Sequence, residues 1–152
     1  MTFRRGFTVL EALIVLAVFG LLATLAVLSL NSARASLRDA QRLSDVSVVR
    51  SALSQYWLEN ATYPQSAGID LGMPGANAEK LSAAGFVASA DPTQPVYLTR
   101  IPTGPKVNEY YRYRAGPNGY SIRFQTETRT DLGPANVYYA HATGIDLEDV
   151  EK

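Results

Sequence analysis

A carboxylate standing inside an apolar run makes the sharpest chemical demand in this sequence. From Phe7 to Leu30 only Glu11 carries an ionisable side chain. In a membrane such a group costs on the order of 2–3 kcal/mol at mid-span and less near the interface. Two outcomes relieve that cost. Glu11 lies about one turn inside the edge of the run, so it can snorkel outward or hold a proton. Alternatively it awaits a cationic partner, most simply an amino group from a neighbouring copy of the chain.

The remaining chemistry is sparse. There is no cysteine, which excludes disulfide frameworks, thiolate metal sites and cysteine nucleophiles. A single histidine, His141, takes support from most catalytic triads and zinc sites. Its setting, Tyr138-Tyr139-Ala140-His141, predicts a strand end on the surface or half buried. No glycine-rich phosphate loop, paired catalytic carboxylates or nucleophile-base constellation is present, so neither an enzyme nor a bound cofactor is expected. The acidic run Asp146-Leu147-Glu148-Asp149-Val150-Glu151 reads first as a disordered charged tail. Calcium takes about six to eight oxygens, which carboxylates and loop carbonyls can supply, and Asp131 and Asp146 are the candidate ligands. With 14 basic and 14 acidic residues, no net field points to nucleic acid.

These groups have to be placed by two unlike parts. The run from Phe7 to Leu30 has 24 residues, roughly 36 Å as a helix against a hydrocarbon core of about 30 Å. Arg4 and Arg5 precede it like the basic region of a secretory signal. However, the run exceeds the roughly 7–15 apolar residues of an ordinary signal, and Asn31-Ser32-Ala33 is a poor cleavage site. Between Ser32 and Asn60 there is neither glycine nor proline. Val46, Val49, Leu53, Tyr56 and Trp57 recur there at helical spacing and predict a buried stripe. Asp39, Arg42, Asp45, Arg50 and Glu59 are expected on other faces. Asp39–Arg42 and Arg42–Asp45 would be surface pairs worth about 0.2–0.5 kcal/mol each. Tyr63-Pro64 predicts a stop near Asn60.

The order Arg4-Arg5-Gly6-Phe7-Thr8-Val9-Leu10-Glu11, followed by a continuous apolar helix, resembles the class III signal of type IV prepilins and type II secretion pseudopilins. The run from Ala40 to Tyr56, ending Asn60-Ala61-Thr62-Tyr63-Pro64, is similar to the G-type major pseudopilin in particular. The resemblance implies cleavage by prepilin peptidase between Gly6 and Phe7, N-methylation of Phe7, and retention of the apolar segment as anchor and polymerisation helix. Glu11 would pair with the terminal ammonium of an adjacent subunit. The implied setting is the inner membrane, with the N-terminus cytoplasmic and the head periplasmic or extracellular, then a filament. The implied partners are copies of the chain, minor pilins or pseudopilins, and an assembly platform with a cytoplasmic ATPase. Major pseudopilins also carry a calcium site in a C-terminal loop. One departure is Leu28, where many members have a proline. The competing reading is a monomeric signal-anchored protein with a small exported ligand-binding domain.

The resulting division is a leader (1–6), a membrane and polymerisation helix (7–30), an amphipathic continuation (31–63), a connecting region (64–95), and a sheet with its tail (96–152). Within the connecting region a short helix is expected over 77–84, ending at Gly85. In the last part Tyr111, Tyr113 and Ala115 alternate with arginines, and Tyr120, Ile122 and Phe124 alternate with polar residues. These runs flank Gly116-Pro117-Asn118-Gly119 and predict a hairpin with Arg112, Arg114 and Arg123 outward. That arginine face reads as solvated or as a subunit contact. Val96–Arg100 and Val137–Ala140 are further strand candidates. The expected fold class is α+β, a long N-terminal helix on a small antiparallel sheet.

Overall fold

The computed structural model describes residues 8–152. The leader arginines Arg4 and Arg5 and the Gly6–Phe7 bond lie outside them. One helix, α1 (Val9–Asn60), is followed by β1 (Ser66–Leu71), β2 (Lys80–Ser82), β3 (Gly85–Val87), β4 (Val96–Leu98), β5 (Tyr111–Gly116), β6 (Gly119–Gln125), β7 (Val137–Ala140) and β8 (Ile145–Asp146). The chain divides into two compact units, Met1–Ala35 and Ser36–Lys152.

The described part of the first unit is helix. Thr8 caps it, its Oγ1 accepting the Glu11 backbone N–H at 3.2 Å. This satisfies one of the donors that a helix start leaves free, and Thr8 and Glu11 stand at the spacing of a capping box. No break occurs at Leu28, where a proline would have removed a hydrogen bond.

In the second unit the α+β expectation holds. Five strands form an antiparallel sheet in the order β1-β5-β6-β7-β8, and three form a smaller one in the order β3-β2-β4. The hairpin lies where the period-two pattern puts it, with Tyr113 opposite Ile122 and Gly116 opposite Gly119. Tyr111, Tyr113, Tyr120, Ile122 and Phe124 face inward and meet Val46, Val49, Ala52, Leu53 and Tyr56 of α1 in one core. Phe86 joins the smaller sheet to it, edge-on to Tyr113 at 4.8 Å. Arg112 and Arg123 are exposed and Arg114 half-buried, as the alternation requires.

Three expectations are corrected. Trp57 is 46% exposed; at the last turn Tyr97 meets Tyr56 edge-on at 5.5 Å instead. Residues 77–84 do not form a helix. Leu81 is buried in β2, Ser82 pairs with Gly85 across a tight turn, and Gly85 takes φ +93°, serving a hairpin rather than a helix end. Asp39 and Arg42 are not on a solvated face but are 1% and 2% exposed.

Candidate functional site

Between Val9 and Leu30, fourteen Val, Leu, Ile and Phe side chains are exposed. None of the most apolar 18-residue stretch is buried within the chain. At about 0.3–0.6 kcal/mol each, these residues favour insertion into lipid by roughly 4–8 kcal/mol, enough to outweigh one carboxylate near the interface. Among the described residues Glu11 makes no side-chain hydrogen bond or ion pair. Its backbone N–H is used by the Thr8 cap.

A second charged constellation lies in the head. Arg42 Nη1 is 2.7 Å from Asp39 Oδ1, its Nε is 2.6 Å from Glu109 Oε1, and its Nη2 is 2.7 Å from Glu127 Oε1. Arg38 binds Glu127 through Nε and Nη2 at 2.9 and 2.7 Å, and Lys106 Nζ reaches Glu127 Oε2 at 2.9 Å. Three cations thus balance three carboxylates. Asp39 also accepts the backbone N–H groups of Glu127 at 2.9 Å and Thr128 at 2.7 Å, and the Thr128 hydroxyl at 2.7 Å. Burial pushes the Asp39 carboxyl up, but these donors and Arg42 outweigh it and hold it below the ordinary range. Arg38 foremost, with Lys106 and Arg42, holds the Glu127 carboxyl well below its ordinary value. Burial disfavours the charge on Arg42, yet Glu109, Glu127 and Asp39 together raise its pKa.

An open cleft of about 410 Å³ lies beside this network, lined by Arg42, Lys106, Glu109, Tyr111 and Glu127 among others. Both carboxylates in its wall are ion-paired. The arrangement ties residues 104–109 and 126–128 to α1. Asp45 does not pair with Arg42; it accepts the Tyr111 hydroxyl at 2.8 Å.

The acidic run is docked rather than loose. Asp149 accepts Ser121 Oγ and Arg114 Nη1, each at 3.2 Å, and Glu151 lies 3.3 Å from Arg114 Nη2. His141 is wholly buried, where a surface or half-buried position was expected. Its Nδ1 lies 3.0 Å from the Tyr120 carbonyl oxygen and its Nε2 3.2 Å from Asp146 Oδ1. The two calcium candidates have different settings. Asp131 is exposed in the turn where Thr130 pairs with Gly133. Asp146 is engaged by Lys152 Nζ at 2.7 Å and by the Glu148 N–H at 2.9 Å. Among the described residues no group of three or more His, Asp or Glu side chains is placed to hold a metal.

An uncovered apolar helix with one carboxylate near its start, continuing into a face packed on an antiparallel sheet, defines a pilin-like protein. The comparisons agree and go further. The prokaryotic N-terminal methylation motif matches residues 1–27. Type II secretion system core protein G of Aeromonas hydrophila is 30% identical over 133 residues, covering 84% of this chain and 88% of the relative. The protein of that name from Dickeya chrysanthemi is 29% identical over 143 residues, 88% of each. That from Escherichia coli K12 is 28% identical over 117 residues, 76% of each. No solved structure matches the chain significantly. The chain belongs to the type II secretion system core protein G family.

Proposed function

We propose that this chain is a structural subunit of a type II secretion pseudopilus, cut by prepilin peptidase between Gly6 and Phe7 and polymerised through α1. The observation that carries the reading is the uncovered apolar surface from Val9 to Leu30 with Glu11 as its only charge. Before assembly, lipid covers this surface; in a filament, the same surface of other copies covers it. The methylated amino group of Phe7 in one subunit meets Glu11 in the next. Pairing offsets the desolvation of both charges, and because a mispaired carboxylate stays unsatisfied in an apolar bundle, it fixes axial register.

The subunit stands in the cytoplasmic membrane with its N-terminus inside and residues 36–152 outside. It joins copies of itself and minor pseudopilins on a membrane platform. Extraction from the bilayer is driven by a separate cytoplasmic ATPase, since the sequence carries no glycine-rich nucleotide loop.

Mass spectrometry of the membrane-extracted protein tests the processing. The expected N-terminal peptide begins at N-methylated Phe7; a chain that keeps Met1 through Gly6 favours the monomeric anchor. Glu11→Ala and Glu11→Gln then separate charge from shape, because glutamine keeps the length and hydrogen-bonding of the side chain. Both variants are expected to insert in the membrane, and both to lose filament assembly by about tenfold or more. Normal assembly of Glu11→Gln would show that the charge is not what sets the register.

A further inference from the structure

The 141–152 segment is closed by contacts that converge on one ammonium group. Lys152 Nζ lies 2.7 Å from Asp146 Oδ2 and 2.7 Å from Glu148 Oε2. The other Asp146 oxygen accepts the Glu148 N–H at 2.9 Å and faces His141 Nε2. The backbone is held at the same place, where the Ala142 N–H donates to the Lys152 carbonyl at 3.2 Å. The sheet is cut to receive this arrangement. A Cβ on Gly119 would stand 2.7 Å from the Lys152 carbonyl carbon and 2.9 Å from its Cα and N.

We infer that the Lys152 ammonium does in this chain the work of a bound divalent cation, so that the 141–152 segment closes on the sheet without calcium. Two carboxylates six and four residues upstream are drawn together by a positive charge the chain itself supplies. A metal ion between Asp146 and Glu148 would have to displace that ammonium from both contacts, and among the described residues no group of three or more His, Asp or Glu side chains is placed to hold one. Major pseudopilins, which the chain resembles, carry calcium in a C-terminal loop; in the 141–152 segment of this chain a lysine joins the two carboxylates.

The test uses the full-length protein in detergent micelles and follows hydrogen exchange of peptides covering 141–152, with those covering 111–125 as internal reference. Wild type is compared in EGTA and in about 5 mM calcium chloride, above the roughly 0.1–1 mM dissociation constants of weak extracellular sites. Equal protection in the two solutions is expected. Lys152→Met is expected to exchange roughly threefold faster at 141–148 with 111–125 unchanged, and Lys152→Arg to recover most of the protection. Wild-type protection that falls on chelation overturns the inference, and that arm needs no variant to fold. So does a Lys152→Met protein that exchanges like wild type.

Discussion

Removing the guanidinium of Arg42 leaves Asp39 and Glu109 facing each other's charge at the helix surface with their shared cation gone. Breaking a buried pair from one side costs more than the pair contributes, because the remaining charge stays desolvated. Arg42→Ala is therefore expected to destabilise the head by about 3–5 kcal/mol, read as a lowered urea midpoint in detergent. Arg38→Ala removes a cation from the more exposed Glu127, where Lys106 remains, and is expected to shift the midpoint far less. Equal effects would mean that the network acts as a surface ion cluster and not as a buried lock. Acid acts on the same groups with a definite sign. Asp39, Glu127 and Asp146 have folded-state pKa values below their ordinary ones. Their stabilisation is fully present above the unfolded values near 4 and is lost as pH falls through the folded ones. Urea midpoints are expected to be flat above pH ~5 and to fall steadily towards pH ~2. In Glu127→Gln the fall is expected to be shallower, so that the gap from wild type is widest near neutrality. A gap that grows on acidification would reverse the assignment.

Among the elements, α1 shows most directly how a helical face is chosen. Leu53 is wholly buried beneath the hairpin while Trp57, one turn on, is half exposed. Leu53→Ala is expected to cost about 2–5 kcal/mol through lost burial and a residual cavity. Trp57→Ala is expected to stay within about 0.5 kcal/mol, although the larger side chain is removed; a urea series on both variants decides. Sequence periodicity finds the stripe but not where its cover ends, since the cover comes from Tyr97 and the hairpin, far along the chain. The hairpin itself was legible because two period-two runs flank a Gly-Pro-Asn-Gly turn. The β2–β3 hairpin was not, because two three-residue strands are too short to show alternation, and Gly85 suits a helix end as well as a turn. Asp39 and Arg42 were legible as a pair and illegible as a buried one. Their partners Glu109 and Glu127 stand 67 and 88 residues further along, and nothing in those loops announces that they return to α1. The N-terminal methylation motif over residues 1–27 was readable because that signal is local, compact and carried by residue types with few other uses.

At the scale of the whole molecule, the two units differ in what stabilises them. Every residue of the hydrophobic core lies at or beyond Val46, and every head ion pair at or beyond Arg38. Among the described residues, none before residue 36 belongs to either. The second unit has its own sheet, its own helical cover from Ser36 to Asn60 and its own charge network, which are the requirements for independent folding. A fragment of residues 36–152 is therefore expected to be soluble, monomeric and cooperative, with a urea midpoint matching that of the head in the detergent-solubilised full chain. The full chain without detergent is expected to aggregate or to sediment with membranes, because the fourteen exposed apolar side chains between Val9 and Leu30 have no cover. The contrast separates two tasks that share one helix. If the fragment unfolds, the first unit takes part in the stability of the head, and assembly defects of Glu11 variants could no longer be attributed to lost register alone. If it folds with the expected midpoint, a Glu11 variant that fails to assemble does so with an intact head, and the failure belongs to the contact between subunits.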